Sequence, residues 1–78
     1  MRILVVEDEA GLREGLIDLL QGDGHDVTAV GDGATAAATG IAESWDLVVL
    51  DLMLPRMNGM DVCRKLRGAR PGMPILML

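Results

Sequence analysis

The sequence predicts an α/β fold, a small parallel sheet of four strands with helices on both faces. Three observations predict it. Short, continuously apolar runs at Ile3 to Val6, Leu47 to Leu50 and Ile75 to Leu78 have the length and residue types of strands covered on both sides. Between the runs lie stretches with apolar residues at helical spacing, punctuated by glycine and proline. The elements alternate as βαβαβαβ, which implies right-handed crossovers and therefore parallel strands.

Ile3 to Val6 form the first strand, and Glu7-Asp8-Glu9 follow at once. Leu12, Leu16, Leu19 and Leu20 then fall at i, i+4, i+7 and i+8, the apolar stripe of a first helix, with Arg13, Glu14 and Asp18 on its other side. Gly22-Asp23-Gly24 ends that helix, since glycine tolerates the left-handed cap conformation. Val27 to Val30, alternating with Asp26 and Thr28, read as a weaker strand at the sheet edge. Gly31-Asp32-Gly33 is a turn, because a lone GxG after the second strand is no phosphate loop. Ala34, Ala37, Ala38 and Ile41 trace one face of a small, Ala-rich second helix that can lie close to a sheet.

Trp45 and Asp46 lead into the third strand, Leu47 to Leu50, which delivers Asp51 to a loop. Pro55 and the pair Asn58-Gly59 break regular structure and turn the chain toward a third helix. That helix is expected to run to about Leu66 with Met60, Cys63 and Leu66 inward. Arg64, Lys65 and Arg67 lie in its last turn, where cations complement the helix dipole. Gly68 to Pro74 form a loop before the fourth strand, Ile75 to Leu78.

The 78 residues are half apolar and show no second composition block, so one domain over residues 1–78 is expected. A core of this size is marginal without a metal, a partner or a disulfide. The net charge of −5 argues against nucleic acid as a direct partner of these residues. A single cysteine, Cys63, excludes an internal disulfide and a Cys-based zinc site, and suits a reducing compartment. No apolar run approaches bilayer length, and the N-terminus meets acid at Glu7 too early for a signal peptide. The cytoplasm is the expected location. His25 opens the second strand, at the end of the sheet away from Asp51, so no metal or relay role is assigned to it.

In a parallel sheet every strand delivers its carboxyl end to the same edge. Glu7 and Asp8 follow the first strand and Asp51 the third. In the flavodoxin-like strand order 2-1-3-4 those strands are neighbours about 5 Å apart, and they flank the crevice where open α/β sheets bind ligands. Three converging carboxylates repel one another, and a hard divalent cation is the usual compensation; Mg²⁺ needs only one or two direct carboxylates and a carbonyl. Residue types alone leave a second reading open. Glu7, Asp8 and Glu9 suit a helix N-terminus, and Asp51 suits a turn cap. A nucleotide or flavin site would need glycines where the first βα turn carries acids.

Three segments, Ile3-Leu4-Val5-Val6-Glu7-Asp8-Glu9, Asp46 through Gly59 (Asp-Leu-Val-Val-Leu-Asp-Leu-Met-Leu-Pro-Arg-Met-Asn-Gly) and Pro74-Ile75-Leu76-Met77-Leu78, closely resemble the receiver domain of two-component response regulators. The resemblance implies that Asp51 is the phosphoacceptor, attacking a phosphoryl group carried by a histidine kinase. It implies that Asp8 and Asp51 bind Mg²⁺ directly, that the Met53 backbone carbonyl supplies a third oxygen, and that Glu7 acts through a coordinated water. Pro55 and Gly59 shape the loop, and the Met53 side chain lies beside the acceptor. The implied activity is that of a phosphoacceptor switch rather than a turnover enzyme.

The family domain has five strands and five helices, so these residues are expected to be its amino-terminal part, lacking strand five and helices four and five. The hydroxyl expected after strand four, the lysine and aromatic of strand five, and any output domain would then fall outside the 78 residues, and phosphorylation would be impaired. Such a fragment would expose Ile75 to Leu78 as an apolar sheet edge, which recruits another strand. The expectation is a homodimer through that edge. The alternative to a phosphoacceptor is an assembly or interaction fragment with a silent carboxylate site.

Overall fold

The computed structural model describes residues 1–78. In chain order the elements are β1 (Arg2–Val6), α1 (Ala10–Gly22), β2 (Asp26–Val30), α2 (Gly33–Ala42), β3 (Leu47–Leu50), α3 (Gly59–Ala69) and β4 (Ile75–Met77). The strands form one parallel sheet in the order β2-β1-β3-β4, the flavodoxin-like order expected from the alternation of elements. β2 does lie at an edge. Leu78 continues the β4 ladder past the strand's formal end, its N–H donating to the Leu50 carbonyl at 2.9 Å.

The strand period of two sorts the core into two layers. Leu4, Val6, Val48 and Leu50 face α2 and α3, packing with Ala36, Val62, Leu66 and Trp45. Ile3, Val5 and Val49 face the other way, toward Leu16 and Leu20 of α1. The first layer is the larger, and α1 buries no residue completely.

Three of the expected helix faces are corrected. On α1, Leu16 and Leu20 meet the sheet, but Leu12 and Leu19 are 51% and 65% exposed. A stripe of four leucines is wider than the contact a single helix makes with a short strand pair. On α2 the buried face is Gly33, Ala36, Ala37 and Gly40; of the expected Ala34, Ala37, Ala38 and Ile41 only Ala37 lies on it. Alanine is nearly indifferent to which side it shows, so close approach decides. A Cβ on Gly33 would sit 2.9 Å from Met57 Cβ, and one on Gly40 would collide with Leu66. On α3 the inward residues are Gly59, Val62 and Leu66; Cys63 only flanks the core and Met60 is 45% exposed.

Each helix begins on a side-chain cap. Glu9 accepts from the N–H groups of Gly11 and Leu12, Asp32 from Thr35, and Asn58 from Asp61. The first helix ends as its glycines require, with Gly24 at φ 88°. α3 continues three residues past Leu66, and Arg67 donates to the carbonyls of Pro71 and Met73. That arginine ties down the loop before β4, while Arg64 pairs with Asp61 at 2.9 Å.

At the amino end of the strands, Trp45 is 7% exposed and its indole N–H donates to the Thr39 carbonyl at 3.2 Å. The Arg2 guanidinium lies 4.5 Å above its ring. His25 is at this same end, with Nδ1 3.2 Å from the terminal amine of Met1.

Candidate functional site

The register of the sheet builds the site. Val6 of β1 is aligned with Leu50 of β3, so the next residues, Glu7 and Asp51, leave neighbouring strands side by side. The Asp51 N–H donates to the Val6 carbonyl at 3.1 Å, and the Glu7 N–H to the Val30 carbonyl at 3.1 Å. Carboxylate oxygens of Glu7, Asp8 and Asp51 lie within 4.8 Å of one another. Glu7 is buried, Asp51 half-buried and Asp8 exposed, so the cluster runs from the sheet edge out to solvent.

The two readings of these acids divide residue by residue. Glu9 is a helix cap, and its hydrogen bonds to the Gly11 and Leu12 N–H groups hold its carboxyl below the ordinary carboxylate range. Glu7 and Asp8 join the cluster instead. Asp51 does both, accepting the Met53 N–H at 2.9 Å while contributing to the cluster. Burial pushes the Glu7 carboxyl up first, and its hydrogen bond and charge interaction with Asp51 push it further.

No salt bridge touches any of the three; the ion pairs of the molecule are Arg2–Glu43 and Arg64–Asp61. The Arg13 guanidinium donates to backbone carbonyls instead, that of Glu7 at 2.9 Å and that of Asp8 at 3.3 Å. Three oxygen donors with no cationic side chain among them fit a hard divalent ion. Such an ion, when bound, would offset the mutual repulsion of these carboxylates.

The loop after β3 is held by backbone contacts that the Asn58-Gly59 signal only partly anticipates. Asn58 is a cap, and the left-handed residue is Arg56, at φ 69°. For an arginine that conformation costs on the order of 1 kcal/mol. Gly59 donates to the Leu52 carbonyl at 3.0 Å, and a Cβ there would sit 2.5 Å from the Asp51 carbonyl oxygen. Glycine at 59 is thus what lets α3 start directly against Asp51. The Met53 side chain, 81% exposed, stands at the mouth of the site. Arg13, expected on the side of α1 away from the apolar stripe, is half-buried and spans from α1 to the β1–α1 loop.

Comparison with known proteins gives a consistent result. Residues 3–78 match the family model of the response regulator receiver domain. The chain is 58% identical over 78 residues to the DNA-binding response regulator MtrA of Mycobacterium leprae, covering 99% of this chain and 34% of the relative. It is 47% identical over 76 residues to the sensory transduction protein RegX3 of Mycolicibacterium smegmatis, covering 97% and 33%. The chain therefore spans about a third of the length of these curated relatives.

Among solved structures it superposes with TM-score 0.94 on the receiver domain of sensor histidine kinase PA1611 from Pseudomonas aeruginosa, which has a magnesium ion coordinated in its active site cleft. The identity there is 28%, over 97% of this chain and 64% of the other. The response regulator TrrA from Thermotoga maritima, in complex with Mg(2+)-BeF, also gives 0.94, at 33% identity over 97% and 66%. The chain spans less than two thirds of both. No helix is long and apolar enough to cross a membrane. By residues, fold and alignment together, the chain belongs to the response regulator receiver domain family of two-component systems.

Proposed function

We propose that this chain is a phosphoacceptor module, receiving a phosphoryl group on Asp51 from a histidine kinase with Mg²⁺ as cofactor. The observation that carries the reading is the meeting of Glu7, Asp8 and Asp51 within 4.8 Å with no cationic side chain among them. Magnesium in the active site cleft of one protein of the same fold, and the Mg(2+)-BeF complex of another, support it. Asp8 and Asp51 would hold the ion by their carboxylates, Met53 by its backbone carbonyl, and Glu7 through a water.

In the transfer, an Asp51 carboxylate oxygen forms the new bond to phosphorus while the P–N bond of a phosphohistidine breaks. The electron pair leaves with the imidazole nitrogen, which takes up a proton, and an aspartyl phosphate remains. The Met53 N–H, 2.9 Å from Asp51 Oδ1, fixes the carboxylate's rotation so that the other oxygen is free to attack. The raised pKa of Glu7 describes the ion-free site; a divalent cation would favour its ionised form.

The test is to add Mg²⁺ with a small phosphodonor, or with beryllofluoride, and look for an adduct at Asp51 by mass or NMR. An adduct lost in Asp51→Asn supports the reading. No adduct in the wild type favours the second reading, an assembly fragment whose carboxylates are silent. One feature favours that second reading: β4 pairs on one side only, and Leu76 on it and Leu78 just past it are 51% and 55% exposed. Edge pairing with a second copy would cover it, giving a homodimer through Ile75–Leu78. A monomer mass by light scattering at every concentration would remove the dimer. The residues form one domain in this reading, located in the cytoplasm, and the charge of −5 keeps nucleic acid away from them.

A further inference from the structure

We propose that Arg13, seated against Gly31, is a positioning residue that sets the affinity of the carboxylate site for its cation. The inference rests on the phosphoacceptor reading and deepens it. The Arg13 side chain leaves the first turns of α1 and reaches back over the loop that carries two of the three acids. One guanidinium nitrogen donates to the carbonyls of both Glu7, at 2.9 Å, and Asp8, at 3.3 Å. These are the backbone oxygens of the residues whose side chains form the cluster, so their peptide planes are held by the same contact. Asp8 is exposed and makes no side-chain hydrogen bond of its own, so its carboxylate has little else to order it.

Gly31 explains how the guanidinium fits. A Cβ at position 31 would lie 3.0 Å from the same Arg13 nitrogen and 3.9 Å from the Glu7 carbonyl oxygen. The first glycine of Gly31-Asp32-Gly33 thus has a use beyond its turn: its missing side chain is the space the arginine occupies. Gly31 is not at positive φ, so alanine is conformationally allowed there. The atom it would displace is the far end of a flexible side chain. Gly31→Ala therefore shifts the guanidinium by a few tenths of an ångström, loosening the tether while sparing the fold.

Charge and position make opposite predictions for Arg13→Ala. Deleting a cation near a metal site tightens binding of Mg²⁺ by charge alone; deleting a tether that orders the ligands weakens it. Outer contacts that orient metal ligands are worth about 10–100-fold in affinity when they touch the ligating group. Arg13 acts through the backbone, so about three- to tenfold weaker Mg²⁺ binding is expected.

The experiment titrates the full chain with MgCl₂ by calorimetry or NMR, for wild type, Arg13→Ala, Arg13→Lys, Gly31→Ala and the Arg13→Ala/Gly31→Ala pair. Metal-free unfolding in urea is measured alongside. The expected result is a clear loss for Arg13→Ala, smaller ones for Gly31→Ala and Arg13→Lys, and no loss in the pair beyond that of Arg13→Ala, because both changes act on one contact. The metal-free unfolding midpoint of Gly31→Ala stays at the wild-type value. Unchanged or tighter binding in Arg13→Ala, additive losses in the pair, or a stability loss without an affinity change would each overturn the inference. Wild type that binds Mg²⁺ no better than Asp51→Asn would bring down the phosphoacceptor reading, and this inference with it. Good wild-type binding with undisturbed variants defeats the inference alone.

Discussion

Two glycine-to-alanine substitutions in helices should move stability in opposite directions, and the sign at each follows from what the new methyl meets. At Gly59 the Cβ would fall 2.5 Å from the Asp51 carbonyl oxygen, 2.7 Å from Leu52 Cα and 3.2 Å from Asp51 carbonyl carbon. All three are backbone atoms, so no rotamer change relieves the clash. An ordinary contact starts near 3.4 Å, which means the Asp51 peptide must retreat by about 0.9 Å. Overpacking of this kind costs about 1–3 kcal/mol, out of the roughly 4–12 kcal/mol a domain this size possesses. With a urea m-value of about 1 kcal/mol/M, the midpoint should fall by about 1–3 M.

At Gly15, inside α1, nothing lies within 4 Å of the added carbon, and the gain in helix propensity is about 0.5–1 kcal/mol, raising the midpoint. If Asp51 accepts the phosphoryl group as proposed, displacing it by about 1 Å should also cost Gly59→Ala on the order of a hundredfold in the rate of adduct formation with a small phosphodonor. Gly15→Ala should react like the wild type. A Gly59→Ala variant with unchanged midpoint and unchanged reactivity would refute the claim that the α3 start is packed onto Asp51.

Glu7→Gln tests the buried acid. The Glu7 carboxyl titrates above its ordinary value of 4.5 in the folded chain, chiefly through burial. Its contribution to stability is therefore fully present below about pH 4.5 and lost as pH rises through the folded pKa. Metal-free wild type should lose stability across that window, while Glu7→Gln should not; parallel urea midpoints for the two from pH 4 upward would contradict this. The caps behave oppositely: Glu9 and Asp32 titrate below their ordinary values, so their share is lost as pH falls through the folded pKa values. Asn58→Ala, which removes the α3 cap, should cost about 1 kcal/mol, read as a lower urea midpoint.

The strand order and the meeting of Glu7 and Asp51 were legible because they depend only on periodicity and chain direction. A run of β-branched and leucine residues reads as a strand wherever it lies, and parallel strands must share a carboxyl edge. Helix faces were less legible, for a physical reason. In α2 the glycines, not the alanines or Ile41, choose the buried side, since Gly33 and Gly40 allow α3 to approach. Met60 and Val62 of α3 are both apolar, and only the packing against Leu66 and the sheet tells them apart. Arg13 was invisible because its partners are main-chain oxygens, which every residue has. The one clue available was Gly31, a small residue placed where a long cation needed room.

The lone indole of Trp45 has a practical consequence. It is the sole aromatic side chain in the chain, it is almost wholly shielded, and it precedes β3 whereas Asp51 follows it. Six residues of extended chain separate the two by about 20 Å. Intrinsic emission should therefore register loss of the whole tertiary structure and stay silent when an ion or phosphoryl mimic docks at the far rim. One sample can then yield an unfolding curve optically and an occupancy curve by NMR, with neither signal contaminating the other.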